Sequence, residues 1–316
     1  MQGRILGVDA ARYLLSLFVI ILHAMPNTPP GTALWPEMIS VVTRAAVPFF
    51  FIASGYFLKP ARSAHPDMVS KHVLRLAPVF GFWILAYVLL ARSLDIGGAF
   101  RWRDILSGGP GFHLWFLPAL GFGLASVSLS LALVGERATT GWCIALAIFG
   151  LLSSSYHDLV FGHGIERRGG LMIAPSFILL GAWARRHDVR LSTPLAAMLT
   201  LGSLLLVFAE ELAISHFSAT PFQSHDFTLS TILYGGSVFL LSLSLPENPV
   251  THRLAALGSI SLGIYVSHLA FLWLIYGHLA NTTWPGALLI ALVAFSCATL
   301  FSLMAANIPL LRRVAA

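Results

Sequence analysis

RYLLSLFVIILHAM, residues 12–25, opens on an arginine, runs through ten mostly apolar residues and then reaches His23. Extended back over 6–24, the run approaches the ~20 apolar residues that carry a helix across ~30 Å of hydrocarbon. Arg12 and His23 are eleven positions apart. At ~100° per residue that is about three turns, so both side chains share one face, separated by roughly 16 Å along the axis. An ionisable group inside a membrane is costly and is read first as functional. Asp9, three residues before Arg12, is placed to pair with it. The alternative is that Arg12 reaches to the inner surface and His23 merely ends the helix.

The composition supports lipid as the solvent. Of 316 residues, 57% are hydrophobic and only 10% charged, against roughly 25% charged in a soluble domain. The mean hydropathy is +0.81. Long continuous apolar runs, rather than short alternating ones, favour helices over a transmembrane barrel. Ten spans are expected: 6–24, 38–57, 77–94, 113–134, 141–157, 170–185, 194–214, 227–245, 257–276 and 284–307. The fold class is therefore all-α, polytopic, with 1–316 as a single transmembrane domain. The net charge of +6 is assigned to topology rather than to nucleic acid. With the N-terminus in the cytoplasm, twelve Lys and Arg fall in inner segments and five in outer ones. That bias predicts both termini inside. Cys143 and Cys297 each lie in an apolar run, so no structural disulfide is expected, and no metal-ligand motif is present.

Four further stretches carry candidate chemistry. TRAAVPFFFIASGYFL, 43–58, holds Arg44, a helix-loosening Pro48, and Ser54 and Tyr56 near its inner end. Small residues there suit close helix packing, and no nucleophile elbow surrounds Ser54. The loop from Lys59 to Arg75, with Arg62 and Lys71 between, is strongly basic. It reads as a positive-inside signal, with attraction to anionic lipid, or as a site for a phosphorylated cytosolic ligand. GGPGFHLWFLPAL, 108–120, brings His113 and Trp115 to the outer side, as an interfacial belt or the rim of a sugar site. LGSISLGIYVSHLAFLWL, 257–274, sets Tyr265 and His268 three apart, neighbours on one helix.

Together these stretches resemble acyltransferase family 3. The matching pieces are D-A-A-R, ten residues and H in the first span; P-F-F-F-I-A-S-G-Y-F-L; the basic loop ending L-R-L; H-L-W-F-L; and L-G-S-I-S-L-G-I-Y-V-S-H. The resemblance implies a bacterial inner-membrane O-acetyltransferase moving an acyl group, usually acetyl, from acetyl-CoA to a hydroxyl of a surface or exported glycan. It implies His23 and Arg12 as the catalytic pair, and Arg75 on the donor side, with Lys71, Arg62 and Arg44 as further donor-binding candidates. His113, Trp115, Ser54, Tyr56, Tyr265 and His268 are candidates for lining the acceptor path. The expected partners are acyl-CoA, a glycan or lipid-linked saccharide, and membrane lipid, with no bound cofactor, metal or nucleic acid. A histidine with a pKa near 6.5 can take the proton of an attacking alcohol; a covalent acyl-histidine ranks lower. The rival reading is a transporter or flippase without catalysis, which predicts an inverted repeat that the sequence does not display.

Overall fold

A computed structural model of the chain describes residues 4–25, 34–58, 66–96, 101–161, 170–218, 225–276 and 283–315. Among these it is helical, without strands. The helices are α1 (Leu6–Ala24), α2 (Leu34–Thr43), α3 (Ala46–Tyr56), α4 (Pro66–Ser93), α5 (Phe116–Leu133), α6 (Gly135–Leu152), α7 (His157–Phe161), α8 (Gly170–Arg186), α9 (Thr193–Phe217), α10 (Leu229–Ser244), α11 (Pro249–Leu257), α12 (Ser261–Tyr276), α13 (Trp284–Asn307) and α14 (Pro309–Ala315). Helices are the expected answer to lipid, because they satisfy every backbone polar group within the segment.

Among the described residues, seven segments are long and apolar enough to cross a membrane: Leu6–Ala24, Trp35–Tyr56, Val73–Ser93, Phe112–Leu133, Thr193–Phe217, Pro249–Tyr276 and Trp284–Asn307. The chain is a multi-pass membrane protein. The other three expected spans correspond to α6, α8 and α10, of 18, 17 and 16 residues. Sixteen residues rise only about 24 Å, and α6 opens on Glu136 and Arg137.

Two spans are broken for reasons written in their residues. The second is interrupted at Arg44 and Ala45, between α2 and α3. Pro48 has no N–H to give the carbonyl four residues earlier, and its ring clashes there. The ninth expected span begins earlier than predicted, at α11, started by Asn248, whose side chain accepts from the Thr251 N–H at 2.9 Å, and by Pro249. A 3-10 turn at Gly258–Ile260 joins α11 to α12.

The chain divides into two compact units. The first comprises Met1–Thr43, Arg75–Pro118 and Glu247–Ala316; in it α1 packs against α11, α12 and α13. The second comprises Arg44–Leu74 and Ala119–Pro246; in it α3 lies between α8 and α10, and α10 also packs on α9. Helix α3 meets α8 almost backbone to backbone. A Cβ on Gly55 would stand 1.9 Å from the Ile178 carbonyl oxygen, and one on Gly181 1.9 Å from that of Ile52. Only glycine permits this approach.

The polarity is inside out relative to a soluble protein. Leu199, Leu201, Leu205 and Leu212 of α9 and Leu289, Leu292 and Leu300 of α13 are exposed, as lipid-facing positions should be. Meanwhile Arg44, His113, Glu211, His225 and His268 are buried. Cys143 and Cys297 are free thiols.

Candidate active site

The first unit gathers three histidines from three elements. His23 comes from the last turn of α1. His113 sits in the 3-10 turn Phe112–Trp115, and His268 lies in α12. The Gly-rich turn positions His113. Gly108 has φ +93°, open to glycine at little cost. A Cβ on Gly111 would come within 2.6 Å of the Tyr87 ring. Tyr87 can therefore press edge-on against His113, centroids 5.1 Å apart, while its hydroxyl donates to the Val266 carbonyl at 2.8 Å.

Around this anchor the rings converge. His113 is 4.7 Å from His268 and 6.0 Å from His23, centroid to centroid. His23 Nδ1 lies 2.9 Å from His268 Nε2, and His268 Nδ1 lies 2.6 Å from the Tyr265 carbonyl oxygen. The Tyr265 hydroxyl donates to the His113 carbonyl, tying the 3-10 turn to α12. Phe112 meets His23 edge-on at 5.3 Å. His268 has no exposed surface and His113 only 1%. Neither ring nitrogen of His113 has a hydrogen-bond partner among the described residues, an uncommon state for a buried polar group.

Arg12 occupies the other end of the same helix. Its guanidinium pairs with Asp9 at 3.1 Å, as the three-residue spacing predicts. Arg4 also grips Asp9 and donates to the Ala255 carbonyl. Arg4 and Arg75 both add like charge to the surroundings of Arg12. That end of the unit is thus a basic cluster with one carboxylate. Arg75 is exposed. Arg62 and the side chain of Lys71 lie outside the described residues.

The second unit holds the remaining candidates. Arg44 does not face water: its side chain is 5% exposed and ion-paired with Glu211, which is wholly buried. The other Glu211 oxygen is 2.7 Å from His225 Nδ1. The neighbouring Glu210 accepts from the Tyr156 hydroxyl and from the Ser230 N–H at 2.8 Å, closing the N-terminus of α10. The Ser54 hydroxyl donates to the Phe50 carbonyl of its own helix at 2.7 Å, a packing arrangement. Tyr56 lies under Arg185, whose guanidinium donates to the Tyr56 carbonyl at 3.2 Å. Trp115 meets the ring of Phe116 at 6.4 Å.

Of the candidates read from sequence, His23, His113, Tyr265 and His268 are thus brought together, and Arg12 stands at the far end of the His23 helix. Tyr87, Glu211 and His225 were not anticipated. Two adjacent carboxylates inside the apolar run 194–214 are the signal that could have exposed Glu211, since such groups are rare in spans and paired.

Comparison with known proteins supplies the family. The model described as "Acyltransferase domain" matches residues 5–304, and the chain belongs to that family. Among curated proteins it resembles the "Serine/alanine racemase" of Enterococcus gallinarum, 27% identical over 83% of this chain and 40% of that protein. It also resembles an "Amino-acid racemase" of Enterococcus faecalis, 27% identical over 66% of this chain and 32% of that protein. The chain thus spans 32% to 40% of the length of these relatives. No solved structure matches.

Proposed function

We propose that this member of the acyltransferase family is an O-acyltransferase that moves an acyl group, acetyl in the first instance, from cytosolic acyl-CoA to a hydroxyl of a surface or exported glycan. The observation that carries the reading is His23. It is a half-buried imidazole held against a second histidine by a 2.9 Å contact, at the opposite end of one helix from a cluster of Arg4, Arg12 and Arg75. The basic end suits the phosphates of CoA; the imidazole end suits the chemistry.

In that chemistry His23 accepts the proton of the glycan hydroxyl as its oxygen bonds to the thioester carbonyl carbon. The carbon–sulfur bond breaks, and the CoA thiolate leaves and takes up the proton. Arg12, roughly 16 Å along the helix from His23, binds and orients the donor through its phosphates. The products are the glycan ester and free CoA. Family membership and seven apolar spans support a membrane enzyme. Ten spans with α6, α8 and α10 included, both termini cytoplasmic, and an inner-membrane location complete the proposal. A bilayer can thin locally around helices as short as α10. The racemase names stay with the longer relatives, of which this chain matches two-fifths or less.

The test is His23→Ala, with the acylation of surface glycans read by mass spectrometry and insertion checked by membrane fractionation. Acylation should disappear while the protein still inserts. Near-normal acylation in that variant would remove His23 from the chemistry.

A further inference from the structure

We infer that His268 is a positioning residue: it fixes the tautomer of His23 so that Nε2 of His23 is the proton-accepting atom. The inference rests on the reading of His23 as the base.

The argument follows the protons. His268 Nδ1 is 2.6 Å from the carbonyl oxygen of Tyr265, three residues earlier in α12. A carbonyl oxygen only accepts, so Nδ1 of His268 carries a hydrogen and donates it. His268 has no exposed surface and lies among the rings of His113 and Tyr265. A charged imidazole there would bear the cost of an ion taken out of water, so the ring is neutral, with one N–H. Its Nε2 is then an acceptor. His23 Nδ1, 2.9 Å from that Nε2, must be the donor.

The ring geometry agrees. The two imidazoles are within 15° of coplanar, with centroids 5.1 Å apart. That is close to the largest separation that a 2.9 Å contact between ring atoms permits. The contact therefore runs along the line of centres, in both ring planes, where imidazole N–H bonds and lone pairs lie. With its proton committed to Nδ1, His23 keeps its basic lone pair on Nε2. A backbone carbonyl, two rings away from the substrate, thereby decides which nitrogen of His23 does the work. The same ordering of a metal-bound histidine by its outer hydrogen bond is familiar, and a buried carboxylate does it for a catalytic imidazole in serine proteases.

The test compares two substitutions in the full-length protein. Gln at position 268 can offer an amide oxygen near the place of Nε2; Leu cannot. With acetyl-CoA as the probe, water standing in for the glycan hydroxyl as acceptor, and acetate and the free CoA thiol as products, His268→Leu should lower the kcat of thiol release by at least about 10-fold. Loss of tautomer control can reach about 10⁴-fold. KM for acetyl-CoA should stay within about twofold, because the lost interaction acts on the chemical step. His268→Gln should recover most of kcat. Independently of turnover, ¹⁵N NMR of histidine-labelled protein should show His23 protonated at Nδ1, the signal being assigned by its loss in His23→Ala. Unchanged kcat in His268→Leu, or a wild-type His23 protonated at Nε2, would overturn the inference. If wild-type protein neither releases CoA nor acylates surface glycans, the acyl-transfer reading fails, while the NMR result still decides the tautomer.

Discussion

Arg44→Met should destabilise the protein far more than it weakens donor binding. The guanidinium is 5% exposed and its partner Glu211 is fully buried. Removing the cation leaves a carboxylate inside the second unit with His225 against its other oxygen. Breaking a buried pair in this way costs about 3–5 kcal/mol, most of it the uncompensated charge. At a few degrees per kcal/mol in a domain of this size, the melting temperature in detergent should fall on the order of 10 °C. Glu211→Met should cost a similar amount. The double variant Arg44→Met/Glu211→Met should recover much of the loss, because replacing both charges by apolar side chains of similar volume is often neutral. The interaction energy then emerges from the four melting curves as a double-mutant cycle. Donor affinity supplies the contrast. If Arg44 bound CoA phosphates, its removal would raise KM for acetyl-CoA and leave stability alone. A stable Arg44→Met protein with a raised KM, or a double variant as unstable as the sum of the singles, would refute the reasoning.

Arg75, by contrast, is exposed and belongs to the cation cluster around Arg12, so Arg75→Gln should raise KM for acetyl-CoA without lowering the melting temperature. High salt should weaken donor binding in the wild type in the same direction; donor affinity indifferent to both would reduce the cluster to a topology signal. For orientation, a cysteine at exposed Ser107 should react with an impermeant thiol reagent in intact cells, and one at exposed Ser192 should not; the reverse pattern would place the N-terminus outside. Ser54→Ala should leave acylation intact, since its hydroxyl bonds, among the described residues, within its own helix. Gly55→Ala next to it should cost about 1–3 kcal/mol or more by overpacking α3 against α8, and an inactive Ser54→Ala protein that folds normally would reopen a nucleophilic role.

The parts of this molecule that were legible in sequence are those set by a single helix in lipid. The span 6–24, the shared face of Arg12 and His23, and the pairing of Arg12 with Asp9 all follow from a 3.6-residue period and the cost of charge in hydrocarbon. The break in the second span was half legible. Pro48 announces it, but the turn itself falls at Arg44 and Ala45, where the missing hydrogen bond and the ring clash act. What could not be read is whatever depends on contacts distant in the chain. His23 and His268 are 245 positions apart, and Tyr265 reaches the His113 carbonyl across 152. Spacing alone left His113 as either an interfacial residue or the rim of a sugar site, and set Tyr265 and His268 together without showing that they meet His113.

Arg44 shows how the same limit hides a partner. As a cation beside an aromatic run it resembles a donor ligand, because its counter-charge lies 167 residues later in α9. In a membrane interior one physical rule narrows the search for such a partner. Every buried ionisable group there must find a partner or a substrate, and the partner can be sought among the other ionisable residues in spans. Applied here, the rule pairs both Arg44 and His225 with Glu211, and Arg12 with Asp9.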